Sequence, residues 1–81
     1  MKQVTHVLQE RSEYGDFKDQ GAWANQMKKK LRQGPNYDNL LPHQKESLDM
    51  IVTKISRLVF GSDKDDHWID ISGYADLGRK K

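Results

Sequence analysis

Between Pro42 and Phe60 the chain reads PHQKESLDMIVTKISRLVF, and breakers stand on both sides of it. Leu48, Ile51, Val52, Ile55, Leu58 and Val59 follow at steps of three, one, three, three and one, the spacing of one helix face. Pro42 suits the first turn, where its missing N–H would have no intrahelical partner. Gly34-Pro35-Asn36 interrupts any helix before it, and Gly61 ends it. A helix of this length spans roughly 28 Å at 1.5 Å per residue. In a chain of 81 residues it is the most strongly marked element. No other segment alternates at period two for long, so the fold class is all-α.

Helical spacing recurs on either side. From about Lys2 to Glu13, Val4, Val7, Leu8 and Arg11 share a face, with Gly15 as a stop and Asp16 placed to cap the next element. From Phe17 to about Gln33, Phe17, Ala24, Met27 and Leu31 form a stripe with Trp23 at its edge, and Gly21 weakens the helix locally. Tyr37 to Leu41 is a connector. Beyond Gly61, Ser62 or Asp63 is expected to cap a last helix running to about Leu77, with Trp68, Ile71, Ser72 and Ala75 on one face. Asp65 and Asp66 fall in its first turn, where the helix dipole favours negative charge. The sequence thus predicts one compact four-helix domain over residues 1–81: two N-terminal helices and a helical hairpin.

Stability narrows the choices further. A domain this small buries only about two thirds of its unfolded surface, so it needs a disulfide, a metal or a partner. Cysteine is absent, which excludes disulfides, zinc–thiolate sites and thiol catalysis. The three histidines lie far apart in sequence and give no zinc signature. Self-association remains, and a homo-oligomer is expected. Fourteen basic residues nearly cancel against twelve acidic ones, so nucleic acid is an unlikely partner. No apolar run reaches membrane-spanning length, and MKQVTHVLQER lacks an apolar signal core, which predicts a soluble, cytoplasmic protein.

Chemistry concentrates in the last two helices. Glu46, Thr53 and Arg57 lie almost opposite the apolar stripe of the Pro42–Phe60 helix, and Asp49 and Lys54 stand at its boundary, where half-burial is expected. Asp66 and Asp70, four residues apart, share a stripe, with Tyr74 one turn on. Two carboxylates so placed repel by a few tenths of a kcal/mol unless a cation lies between them. Lys54 and Arg57 supply that cation if the two helices form an antiparallel hairpin about Gly61; a divalent metal is the other candidate. A structural salt-bridge network and a ligand site explain the pattern equally well. Lys28-Lys29-Lys30 and Arg32 read as a solvated helix end, His67 as polar surface, and His43 as having no partner in sequence reach. Neither GxSxG nor HExxH occurs, nor a glycine-rich phosphate loop.

Three stretches carry a resemblance: Glu10-Arg11…Tyr14-Gly15-Asp16-Phe17, Lys54-Ile55-Ser56-Arg57-Leu58, and Asp66-x-Trp68-x-Asp70-Ile71-x-Gly73-Tyr74-Ala75-x-Leu77. Together they resemble a family of short phage- and prophage-encoded domains of unknown function, which is in turn distantly similar to the MazG-type all-α NTP pyrophosphatases. Those enzymes are helical dimers or tetramers in which two acidic motifs, E-x-x-E and E-x-x-D, hold Mg²⁺ on a triphosphate. The resemblance puts Glu46 and Asp49 at the first motif, as E-x-x-D, and Asp66 and Asp70 at the second, as D-x-x-x-D. Lys54 and Arg57 would face phosphate oxygens, and Tyr74 would line the base or sugar.

Altered spacing weakens a metal site more than an anion site, since Mg²⁺ wants several oxygens in near-octahedral order. The leading expectation is therefore a phage-type homo-oligomer that binds a nucleotide or phosphorylated small molecule, with no cofactor, in the host cytoplasm if phage-encoded. Its ligand-binding residues would be Arg11, Lys54, Arg57, Trp68, Asp70 and Tyr74, and its use would be sequestering a host signalling nucleotide or adjusting nucleotide pools. Two alternatives stand beside it. One is Mg²⁺-dependent cleavage of a nucleoside triphosphate, with Glu46, Asp49, Asp66 and Asp70 as metal ligands. The other is an adaptor or inhibitor whose charged faces dock a host protein.

Overall fold

The computed structural model describes residues 17–81, and among these every regular element is helical. Helix α1 (Phe17–Leu31) leads through a 3₁₀ turn (Tyr37–Asn39) to α2 (Pro42–Phe60), and a short turn joins this to α3 (Asp65–Arg79). The described fold is thus a three-helix arrangement; the fourth helix expected over Lys2–Glu13, and Arg11 with it, lies outside the described residues.

Helix α2 is bounded as its breakers predict. Its start is built by Gln44. The Gln44 Oε1 accepts the Leu41 N–H at 3.0 Å, which caps the first turn, and Gln44 Nε2 donates to the Gly78 carbonyl of α3 at 2.9 Å. One amide thereby closes a helix end and ties it to the neighbouring helix. The Gly61 N–H closes the other end on the Arg57 carbonyl at 2.9 Å. At α3 the expected cap is corrected: Lys64 precedes the helix without a side-chain cap, and the Ser62 hydroxyl makes no hydrogen bond. Asp63 is drawn away by the indole of Trp68, whose Nε1 donates to Asp63 Oδ1 at 2.7 Å.

Both flanking helices run antiparallel to α2. On one side the pairings Gln20 with Ser56 and Arg32 with Asp49 align α1. On the other, His43 with Lys80, Gln44 with Gly78 and Lys54 with Asp70 align α3. Helix α2 is therefore the shared member of two antiparallel pairs, which is the hairpin about Gly61 that the sequence required.

The interior is small and largely polar. Ala24 and Val52 are the buried apolar residues among those described, joined by Gln20, Ser47, Ser56 and His67. Full burial of Val52 contributes only about 1.5–3 kcal/mol. Small side chains let the helices approach: a Cβ on Gly78 would stand 3.1 Å from the Ser47 Cβ. Ser56, only 1 % exposed, donates to the Thr53 carbonyl at 2.6 Å and accepts from Gln20 Nε2 at a long 3.4 Å. The α2 stripe is only part-buried at Leu48, Ile51, Ile55 and Leu58, and Val59 is exposed.

His67, Asp70, Ile71, Tyr74 and Gly78 turn toward the fold, whereas Trp68, Ser72 and Ala75 are exposed. The face that carries Trp68, Ile71, Ser72 and Ala75 is thus buried only in part, at Ile71, and the Asp70 side of the helix meets Lys54 as the hairpin reading expects. The helix has no dominant apolar stripe to set its rotation, so the Lys54–Asp70 ion pair and the close Ser47–Gly78 approach set it instead.

Candidate functional site

Lys54 stands at the centre of the charged face shared by α2 and α3. Its ammonium meets Asp70 Oδ2 at 2.9 Å, with the lysine side chain 12 % exposed and the carboxylate nearly half exposed. The hydrogen bond from Lys54 is the main reason that the Asp70 carboxyl titrates below its ordinary 3.8; burial opposes this, while the charges of Lys54, His67 and Arg57 reinforce it. The Asp70 carboxylate offsets the cost of withdrawing this ammonium from water.

His67 lies one turn before Asp70 and is 3 % exposed, which corrects the expectation of a surface histidine. Its pKa is lowered from 6.5, first by burial and then by the charges of Lys54, Arg57 and Lys64, with Asp70 pulling the other way. Among the described residues, three cations and one carboxylate act on the imidazole.

Around this centre the expected residues divide. Lys54, Arg57 and Asp70 interact electrostatically. Tyr74 is part-buried one turn beyond Asp70, and the exposed Trp68 presents its ring from the first turns of α3, steadied by Asp63. Asp66 is exposed in the first turn of α3.

The four carboxylates considered as Mg²⁺ ligands are not assembled within one chain. Glu46 is exposed, Asp49 binds Arg32 through Oδ2 at 3.0 Å, and Asp70 binds Lys54. Among the described residues, no group of three or more His, Cys, Asp or Glu side chains is placed to hold a metal ion. These residues do not fit a Mg²⁺ centre in this arrangement.

Sequence reasoning missed a second charged cluster. The Arg32 guanidinium and the Lys45 ammonium approach the same Tyr37 ring, at 5.6 and 5.2 Å from its centroid. His43, for which no partner was expected, donates through Nε2 to the Lys80 carbonyl at 2.6 Å, and a carbonyl acceptor fixes that tautomer. The only sequence sign of either contact is the basic character of the α1 end and the C-terminal tail.

With this geometry in place, the chain can be set against known proteins. It belongs to the family described as Domain of unknown function (DUF6378), whose model matches residues 2–81. No curated protein and no solved structure matches the chain.

Proposed function

We propose that this member of the family binds a nucleotide or a related phosphorylated small molecule on the α2–α3 face. The supporting observation is the α2–α3 face itself, where Lys54 pairs with Asp70 at 2.9 Å and acts together with Arg57 and Lys64 on the buried His67. Lys54 and Arg57 would take phosphate oxygens. The half-exposed Asp70 would hold Lys54 in place and accept from sugar or base, while Tyr74 and the exposed ring of Trp68 offer stacking surfaces. The phage setting and the distant MazG-type likeness implied by sequence suggest one use, the capture of a host signalling nucleotide.

Calorimetric titration of the full chain with a panel of nucleoside triphosphates and cyclic nucleotides, with and without Mg²⁺, tests this. Binding is expected without metal. Arg57→Ala should weaken it roughly tenfold or more, the usual loss of a charge-assisted hydrogen bond. Asp70→Asn removes a negative charge beside Lys54, so the anion should bind as tightly or tighter unless Asp70 itself contacts the ligand. Should binding and pyrophosphate release both require Mg²⁺ and vanish together in Asp70→Asn, the pyrophosphohydrolase reading replaces this one. Silence across the panel favours the adaptor.

We also propose that a second copy covers the end where α2 finishes. Antiparallel packing gathers Phe17 of α1, Val59 and Phe60 of α2, and Ile69 of α3 at that end, and all four are exposed. Trp23 lies against Phe60, with ring centroids 5.9 Å apart. A fold with so few buried apolar residues gains most by covering such a surface. Light scattering at micromolar concentration should return a dimer mass or larger, and Ile69→Glu should return a monomer that remains helical. A monomer mass for the parent chain overturns the proposal.

A further inference from the structure

The opposite end of the molecule has a different character. Antiparallel packing brings together the C-terminus of α1, the N-terminus of α2 and the C-terminus of α3. Helix α1 delivers Lys28, Lys29 and Lys30 in its last turn, with Arg32 just beyond. Helix α2 adds Lys45 near its start, and α3 ends in Arg79, Lys80 and Lys81. The cations converge rather than merely share a direction. Arg32 and Lys45 both stand over Tyr37, and the Lys80 backbone is held by His43, two residues from Lys45.

Eight cations at this end face four carboxylates: Asp38, Glu46, Asp49 and Asp76. The remainder of the described chain holds four cations, Lys18, Lys54, Arg57 and Lys64, against five carboxylates. The described residues thus carry all of their net positive charge at one end.

The type of cation left exposed points to the type of partner. Both arginines here are engaged by carboxylates of the fold: Arg32 with Asp49 at 3.0 Å, and Arg79 with Asp76 at 2.6 Å. Lys80 also reaches Asp76, at 3.5 Å. The planar forks that recognise acidic protein side chains are therefore already taken. Lys28, Lys29, Lys30 and Lys81 stand outside these pairs and offer mobile point charges, which suit the evenly spaced charges of a phosphodiester backbone.

We infer that this basic end binds the backbone of a nucleic acid without reading its sequence, at a surface distinct from the α2–α3 nucleotide face. The near-zero charge of the whole chain conceals it, because only folding separates the cations from the carboxylates.

Fluorescence anisotropy of the full chain with a labelled mixed-sequence 20-base-pair duplex, and with a 20-nucleotide single strand, tests the inference. Binding to at least one of them is expected at 50 mM salt. For three to four phosphates neutralised, affinity should fall roughly 40- to 150-fold for the duplex, or roughly 20- to 50-fold for the single strand, on raising salt to 200 mM. The triple change Lys28→Glu, Lys29→Glu, Lys30→Glu should lower affinity at least tenfold while leaving the melting temperature within a few degrees. Lys18→Glu, at the far end of α1, should leave it unchanged. No binding to either oligonucleotide at 50 mM salt overturns the inference. So does equal weakening by Lys18→Glu, or binding of anionic vesicles or polyglutamate in preference to both oligonucleotides. Nucleotide titration of the triple variant separates the two surfaces: it should match the parent chain, so either proposal can fail without the other.

Discussion

Replacing Ser56 by leucine is expected to be among the most damaging single changes in this fold. Ser56 is 1 % exposed between α1 and α2, and no neighbouring void is needed to see why a larger group fails there. Forcing added methylenes into a close helix contact costs about 1–3 kcal/mol. The same change removes the hydroxyl that accepts from Gln20 Nε2, and Gln20 is itself buried. Stranding that amide adds about 1–3 kcal/mol. Together these should lower the melting temperature by roughly 15 °C, at about 4–8 °C per kcal/mol for a domain of this size. Ser56→Ala keeps the close approach and removes only the hydroxyl, so a drop of roughly 4–8 °C is expected. Combining Ser56→Ala with Gln20→Met removes both polar partners at similar volume and should recover much of the loss. If Ser56→Leu melts with the parent, α1 does not pack on α2 at this point.

The second large effect is a dependence of stability on pH that originates at His67. Because the folded state holds this imidazole below its ordinary 6.5, chiefly by burial and then through Lys54, Arg57 and Lys64, the unfolded chain binds the extra proton first. Stability is therefore fully present above pH 6.5 and falls as pH drops below it. Asp70 acts in a separate window. Its carboxyl lies below the ordinary 3.8, so its contribution persists above that value and is lost on further acidification. Melting curves at intervals from pH 8 to pH 5 should show a plateau and then a decline, and His67→Phe should flatten the decline. Asp70→Asn should steepen it, since Asp70 acts to raise the histidine pKa. A flat parent curve from pH 8 to pH 5 would show that His67 is protonated in the fold at no cost.

The parts of this molecule that could be read from sequence are those with a strong vector. Helix α2 has breakers at both ends and a six-residue apolar stripe, and its observed bounds are those expected. Helix α1 is described from Phe17 and ends at Leu31, two residues short of the expected Gln33. The boundary positions of Asp49 and Lys54 did become half-buried, and Lys54 did meet Asp70. The last helix is where periodicity fails. Its apolar residues are scattered around the cylinder, so spacing alone does not say which of its faces turns inward. The indole proves satisfied outside by Asp63, while small Gly78 and charged Asp70 fit inside because Ser47 and Lys54 wait there. The ion pair of Asp49 is not legible in sequence for a related reason. Its partner Arg32 lies seventeen residues away across a turn, and spacing along one helix carries no record of such a pairing.

Because α2 is shared while α1 and α3 each pack mainly against it, the two flanking helices join elements adjacent in sequence. Contacts between sequence neighbours close short loops, and chains built from them fold in the microsecond-to-millisecond range. The same layout means that neither flank needs the other to remain docked. Opening can begin at α1 or at α3 separately, with α2 the last segment to expose its amides to exchange with solvent. The molecule is thus kinetically a spine with two detachable arms, each able to leave and return without the whole chain unfolding.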